Sequence, residues 1–363
     1  MNKVVLAPDS FKGTITAADA ASALAEGWAQ VEPAAEFTML PMADGGEGTV
    51  AAFAAAVPGS KLMPIVVDGP AGTPVDAEWL LLPDGTAVID LGSTSGIELV
   101  DELRPWDADT TGFGQAIAAA LDHGAQRLVL GIGSSASTDG GTGLLAELGA
   151  KFLDSTGVAV ARGARGLADI HIADLSALRS APEVIVLTDV TNPLLGERGA
   201  AAIFGPQKGL TDADDIASAD RALAHLTDRL ELDPELPGSG AAGGAGAALV
   251  RWGARLAPGS VEVARLIDLT GAIADADVVV TGEGSYDGQS GDGKVPSYVA
   301  ELAASANVPA AVVAGRITPD ADTALFAASV SLTDLAGSGE AALAEPARHL
   351  RTAGAALARG FRR

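Results

Sequence analysis

The chain has 363 residues, 48% of them hydrophobic but only 4% aromatic, with no cysteine and a formal net charge of −24. That length predicts about two domains, and the acidity argues against nucleic-acid and anionic-membrane partners, which need a basic surface. The missing cysteines exclude disulfides, thiolate nucleophiles and Cys-ligated zinc, and so few aromatics leave no set for stacking single-stranded bases.

Val4–Ala7 predicts a short strand that empties into PDSFKG, Pro8–Gly13. Thr16 is a good N-cap for a helix over about Ala17–Gln30, with Asp19 in its first turn. Phe37–Leu40 reads as a second strand ending in PMADGGEG, and a further helix follows to Ala56. This alternation predicts a parallel sheet. Leu62–Asp68, Val75–Leu82 and Thr86–Leu91 then read as three strands parted by the turn signals GPAG and PDG, an antiparallel meander. The change of style places a domain boundary near residue 67.

A helix is expected over about Thr111–His123, closed by Gly124. Arg127–Gly131 predicts a strand running into GIGSSASTDGG, with a helix after it to Leu148. Within that loop Gly131-x-Gly133-x-x-Ala136 resembles a dinucleotide fingerprint, although STDGG intervenes where the helix should already have begun. Val184–Thr188 is a strong strand that delivers Asp189 and Asn192 in TDVTNP. Helices are expected over about Asp212–Leu230, Gly240–Arg255 and Val261–Leu269. The run GSGAAGGAGAA, residues 238–248, reads either as a linker or as a close-approach segment, since glycine permits backbone contact.

From Val278 to Pro296 the chain spells VVVTGEGSYDGQSGDGKVP. The valines predict a buried strand, the five glycines a loop, and Pro296 the first turn of a helix. Strand, Gly-rich loop and helix is how an open α/β sheet presents a phosphate site at the carboxyl ends of its strands. Gly288–Lys294 spells G-x-x-x-x-G-K, but Val295 stands where a P-loop needs Ser or Thr. A strand at Ala310–Ala314 and a C-terminal helix from about Glu340 complete the chain. The fold class expected is therefore α/β with two domains: a discontinuous, parallel-sheet, Rossmann-like domain over residues 1–66 and 275–363, and an inserted mixed-sheet domain over residues 67–274.

Chemistry concentrates at the strand ends. Of six lysines, Lys12, Lys208 and Lys294 adjoin a glycine, which suits local anion sites on an acidic protein. No histidine pair, Gly-x-Ser-x-Gly elbow or kinase H-R-D is present. A hard cation held by carboxylates fits better than zinc. Phosphoryl transfer asks for such carboxylates, backbone N–H groups, a cation on the phosphates and a base. Asp189 or Asp44 would hold Mg²⁺ or accept the hydroxyl proton, Lys12 and Lys294 would contact phosphates, and Gly45–Gly46 and Gly282–Gly284 would cradle oxygens. Asp9 interrupts the apolar N-terminus before a signal h-region forms, and no uncharged run reaches the ~20 residues of a membrane span, so a cytoplasmic protein is expected.

PDSFKG, MADGGEGT, DVTNPLLG, FGPQKG, GSGAAGG and ADVVVTGEG, the last followed by Asp287, Gln289, Gly293 and Lys294, occur in one order over essentially the whole chain. Together they resemble the bacterial glycerate kinase family. The resemblance implies two α/β domains with the active site in a cleft between them. It also implies Mg²⁺-dependent transfer of the ATP γ-phosphate to D-glycerate, most often giving 2-phosphoglycerate. The family's blocks map onto Asp9, Ser10 and Lys12; Asp44 and Glu47; Ser135 and Asp139; Asp189 and Asn192; Lys208; and Glu283, Asp287 and Lys294.

Where the family has Arg after TGEG, this chain has Ser285–Tyr286. Arg316, following the last predicted strand in AGRI, is the candidate to supply that charge to the acid acceptor. The residues leave three alternatives: a kinase of another small hydroxy acid, an NAD(P)-dependent oxidoreductase using Gly131–Ala136, and a nucleotide-binding regulator without catalysis.

Overall fold

The computed structural model describes residues 2–288 and 294–362. In chain order, β1 (Lys3–Pro8) and β2 (Glu36–Met39) come first, then β3 (Lys61–Asp68), β4 (Pro74–Leu81), β5 (Thr86–Asp90) and β6 (Arg127–Gly131). After these come β7 (Lys151–Leu153), β8 (Ile172–Asp174), β9 (Glu183–Leu187), β10 (Arg255–Ala257), β11 (Val278–Tyr286), β12 (Ala310–Ile317) and β13 (Ala328–Ser331). One sheet has the order β13-β12-β11-β1-β2 and is parallel throughout. The other, β10-β9-β6-β5-β4-β3, is mixed: its β3–β4 and β4–β5 pairs are antiparallel and the rest parallel. β7 and β8 form a separate antiparallel pair.

The chain divides into two compact units, residues 1–44, 51–58 and 258–363 in the first and 45–50 with 59–257 in the second. The expected changeover near residue 67 falls inside β3, whose full length pairs with β4 and so carries residues 61–68 into the second sheet. Residues 258–274, expected in the inserted domain, group instead with the first unit. Among the described residues no helix is long and apolar enough to cross a membrane.

In the first unit the parallel strands are buried on both faces, hence the unbroken apolar runs of β1, β11 and β12. Val4, Leu6, Val278, Val280, Ala311 and Val313 alternate along their strands and pack with Leu24, Trp28, Leu350 and Leu357 into one core. The helix Ala17–Ala29 supplies Leu24 and Trp28, and its N-cap Thr16 accepts the Asp19 N–H as its sequence predicts. The helix Pro346–Phe361 supplies the other two.

Two expectations change in the structure. TGEGSY is not a loop: β11 continues through Tyr286, with Ser285 opposite Arg316 on a β12 three residues longer than the apolar run suggests. Glycine allows the close pairing, since a Cβ at Gly282 would lie 2.2 Å from the Val313 carbonyl oxygen and one at Gly315 2.4 Å from that of Gly284. The helix expected over Gly240–Arg255 is a 3₁₀ turn (Ala241–Gly244), a helix (Ala245–Trp252) and then β10. Ala242 and Gly243 at φ 52° and 66° break the first part, and Gly253 at φ 115° ends the second. This run is no linker: Ala241, Ala245 and Ala248 belong to the second unit's core, and Gly243 abuts the Ser137 carbonyl.

Candidate active site

The carboxyl edge of the parallel sheet carries most of the predicted residues. β1 lies between β11 and β2, so three strand ends far apart in sequence become neighbours. The Asp9 N–H donates to the Gly282 carbonyl at 2.8 Å, one more rung on the β1–β11 ladder, and fixes Asp9 at the edge. Its carboxylate accepts the Ser10 N–H at 2.6 Å. Buried Phe11 anchors the following turn, exchanging backbone bonds with Ile15, and leaves Lys12 at the exposed tip. On the other side, Leu40 N–H and Met42 N–H donate to Leu6 and Pro8 and carry β2 on toward Asp44.

Glu283 and Asp287 come from β11 and its end. Lys294 N-caps the helix Val295–Ser305, with Pro296 in its first turn, and its Nζ lies 3.8 Å from an Asp287 Oδ1. A half-exposed pair at that distance contributes little to stability. The Arg316 guanidinium donates to the Ser285 hydroxyl from Nη2 at 3.2 Å and from Nε at 3.4 Å. Asp9, Ser10, Lys12, Asp44, Glu283, Asp287, Lys294 and Arg316 all line one cavity of about 590 Å³ within the first unit. That volume suits a small-molecule site. The stretch 289–293, which holds Gln289 and Gly293 and most of the G-x-x-x-x-G-K pattern, lies outside the described residues.

The site's electrostatics centre on Asp9. Burial, and then the charge of Asp44, push its carboxyl up to about 8; Glu283 adds to the push, while the Ser10 N–H and Lys12 oppose it. Two carboxylates held this way favour a cation between ligand and protein. Among the described residues no three His, Cys, Asp or Glu side chains cluster closely enough to hold a metal by themselves. The donor set instead fits Mg²⁺, which takes one or two carboxylates and completes its shell with water and phosphate.

The other predicted residues lie in the second unit. Asp139 is fully buried, and its carboxylate accepts five bonds, from the Thr110 N–H (3.0 Å) and hydroxyl (2.7 Å), the Ser137 hydroxyl (3.1 Å) and the Gly141 and Gly143 N–H groups (3.2 and 3.1 Å). Ser135 is also buried, its hydroxyl within 3.3 Å of that of Ser137. Lys208, only 2% exposed, aims its ammonium at the Ser137 carbonyl. Burial pushes that amine down to about 8, with Asp139 pulling the other way. These three residues therefore share one buried network that shapes the SSASTDGG loop.

Asp189 and Asn192 follow β9, and the Asn192 amide bridges its loop by donating to the Arg198 carbonyl at 2.8 Å. Glu47 belongs to the second unit with Gly45 and Gly46, although Asp44 of the same sequence block belongs to the first.

The dinucleotide-like glycines serve packing. Gly133 N–H donates to the Gly45 carbonyl at 3.0 Å, and a Cβ on Gly133 would lie 2.5 Å from the Gly46 Cα. The following helix starts only at Thr142, so the pattern lacks the helix N-terminus that receives a pyrophosphate. Sequence reasoning missed the cavity's apolar wall, formed by Leu332, Ala342, Leu343 and Pro346. Nothing in the amphipathic pattern of those helices separates a cavity residue from a core residue.

A family model described as the glycerate kinase family matches residues 4–362. A glycerate kinase from Bacillus subtilis (strain 168) is 42% identical over 332 residues, 88% of this chain and 86% of that protein. A glycerate 2-kinase from Escherichia coli (strain K12) is 42% identical over 330 residues, with the same shares covered. Among solved structures, a putative glycerate kinase 2 from Salmonella typhimurium LT2 matches with a TM-score of 0.86 at 38% identity, covering 99% of this chain and 98% of that one.

Proposed function

The chain belongs to the glycerate kinase family, and from that premise we propose that it transfers the γ-phosphate of ATP to the 2-hydroxyl of D-glycerate, giving 2-phosphoglycerate. One observation in the structure supports this most: three cations and the mutually repelling carboxylates Asp9 and Asp44 line a single cavity at the carboxyl edge of a parallel sheet. Phosphoryl transfer needs little covalent work from a protein. It needs the phosphates held, their charge neutralised and the attacking hydroxyl deprotonated.

Lys12, Lys294 and Arg316 hold the donor's phosphates. The place of Arg316 on β12, two strands away from β1 and Asp9, supports a role toward the donor rather than the acid acceptor. Asp44 would hold Mg²⁺, which would supply charge neutralisation at the transferring group. The Ser10 N–H and Lys12 both favour the anionic form of Asp9. A carboxylate so tuned accepts the hydroxyl proton of the acceptor as its oxygen bonds to phosphorus and ADP departs. Ser10 N–H, on the Asp9 carboxylate, orients it. Asp189, two residues beyond β9, is the further carboxylate proposed for the reaction, as base or metal ligand. Ser135, Asp139 and Lys208 act by shaping their loop, and Asn192 by bracing its own.

The test is a coupled assay of Mg-ATP with D-glycerate. ADP release should depend on both glycerate and Mg²⁺, and the product should be consumed by enolase with no mutase added. A product that enolase takes only after a mutase is supplied moves the transfer to the 3-position. Turnover with another hydroxy acid and none with glycerate removes the acceptor assignment.

A further inference from the structure

The cavity of the first unit has an ordered interior. Its strands stand side by side as β13, β12, β11, β1 and β2, and each contributes to the wall at its carboxyl end. β13 leads into Leu332, and the segment that follows adds Ala342, Leu343 and Pro346. β12 contributes Arg316, β11 leads on to Lys294, and β1 leads on to Asp9 and Lys12, beside Asp44. Along the edge the lining thus runs from apolar at the β13 end to a charged stretch in which Arg316, Lys294 and Lys12 stand among Glu283, Asp287, Asp9 and Asp44. With strands about 4.8 Å apart, the step from β13 to β1 is about 14 Å.

At the apolar end Leu332 and Ala342 belong to the core, while Leu343 and Gly339 stand open. Leu343 is 64% exposed although it lines the cavity. Gly339 beside it has open space where a side chain would stand. The hydroxyl of Thr333, also on this wall, already donates to the Gly315 carbonyl at 2.8 Å. What remains is a weakly polar wall next to Arg316.

We propose that the wall of Leu332, Ala342, Leu343 and Pro346 is the subsite for the nucleotide base of the phosphate donor. This rests on the kinase reading above and adds where the base sits and how it is held. A nucleoside triphosphate carries the same sequence of chemistry as the cavity: an apolar ring face, then anionic phosphates, then the reacting end with its divalent cation. The orientation that matches the two has the ring at the β13 end, the one apolar end of the lining. It puts the ring on the apolar wall, the phosphates against Arg316, Lys294 and Lys12, and the γ-phosphate beside Asp9 and Asp44.

The experiment uses the full chain and two variants at the exposed position, Leu343→Asp and Leu343→Ala. Calorimetry measures binding of ATP and of inorganic tripolyphosphate, which has the phosphates and no base. Leu343→Asp should weaken ATP binding about tenfold, and Leu343→Ala by less, as apolar contact with the ring is lost. Tripolyphosphate binding should stay within about twofold, which also shows that the variants are folded. ATP binding unchanged in Leu343→Asp, or ATP and tripolyphosphate weakening in step, would overturn the assignment. Glycerate-dependent ADP release is measured separately on the unmodified chain, so its failure defeats the kinase reading and leaves the binding result to stand or fall alone.

Discussion

The residue that concentrates the site's chemistry is Asp9. Its carboxyl is raised to about 8 by burial and by Asp44, against an ordinary value of 3.8. A folded pKa above the unfolded one means that the native state resists ionisation. The cost is absent below pH ~4, grows between pH ~4 and ~8 and is complete above that. Asp9→Asn should therefore be more stable than the parent at pH 8.5 and equal to it near pH 4, as read by thermal melts of both proteins. The same variant should lose about 10²-fold or more in kcat if the carboxylate takes the acceptor's proton. Near-normal turnover would leave Asp9 a structural group.

Arg316→Ala should raise KM for ATP about tenfold, since a charge-assisted hydrogen bond contributes roughly 1.5–3 kcal/mol. KM for glycerate should move much less; the opposite split would return Arg316 to the acceptor. Lys208 gives a pH signature of the other sign. Its amine is lowered from 10.5 to about 8 by burial, so the charged form carries a cost that is full below pH ~8 and fades toward pH ~10.5. Relative to Lys208→Met, the parent should gain stability as pH rises from 7.5 to 10. A constant difference in melting temperature would mean that the amine titrates normally.

At the scale of elements, the helices Ala17–Ala29 and Pro346–Phe361 cross with their backbones almost in contact. A Cβ on Gly27 would lie 1.9 Å from the Arg351 carbonyl oxygen, and one on Gly354 2.3 Å from that of Leu24. The first helix also pairs Glu26 with Arg351 of the second. Backbone cannot yield as a flexible side chain does, so a larger residue must push the helices apart. Gly27→Leu should cost about 1–3 kcal/mol or more, seen as a lower denaturant midpoint. Unchanged stability would show that the helices re-dock freely. The β11–β12 pair uses glycine to the same end at the site, where Gly282 and Gly315 let two strands run together far enough to bring Ser285 opposite Arg316.

The whole molecule carries a formal net charge of −24, yet its proposed substrates are anions. Three cations converge on one cavity of the first unit, which offers local attraction inside a repelling field. A net charge of that sign disfavours a polyanion partner. The protein should pass unretained through heparin resin at about 50 mM salt, where a nucleic-acid binder would be held. Retention would reveal a basic face that the net charge hides.

Much of this protein is written in short stretches of its sequence. Apolar runs mark β1, β6, β9, β11 and β12 because a strand buried on both faces has no polar alternation. Thr16 caps the first helix through a bond to a residue three positions on, so the signal is local. The β-α alternation predicts a parallel sheet, and the ordered motifs point to the family. Tertiary structure alone decided what meets what. Val4 pairs with Val278 and Lys3 with Glu36, a register that no local pattern encodes, and it is this register that sets Asp9 between Glu283 and Asp44. It also decided that TGEGSY is strand, that Lys208 is buried and that Leu343 lines a cavity. A sequence specifies which residues prefer burial or a turn; which of them face a ligand depends on partners contributed from elsewhere in the chain.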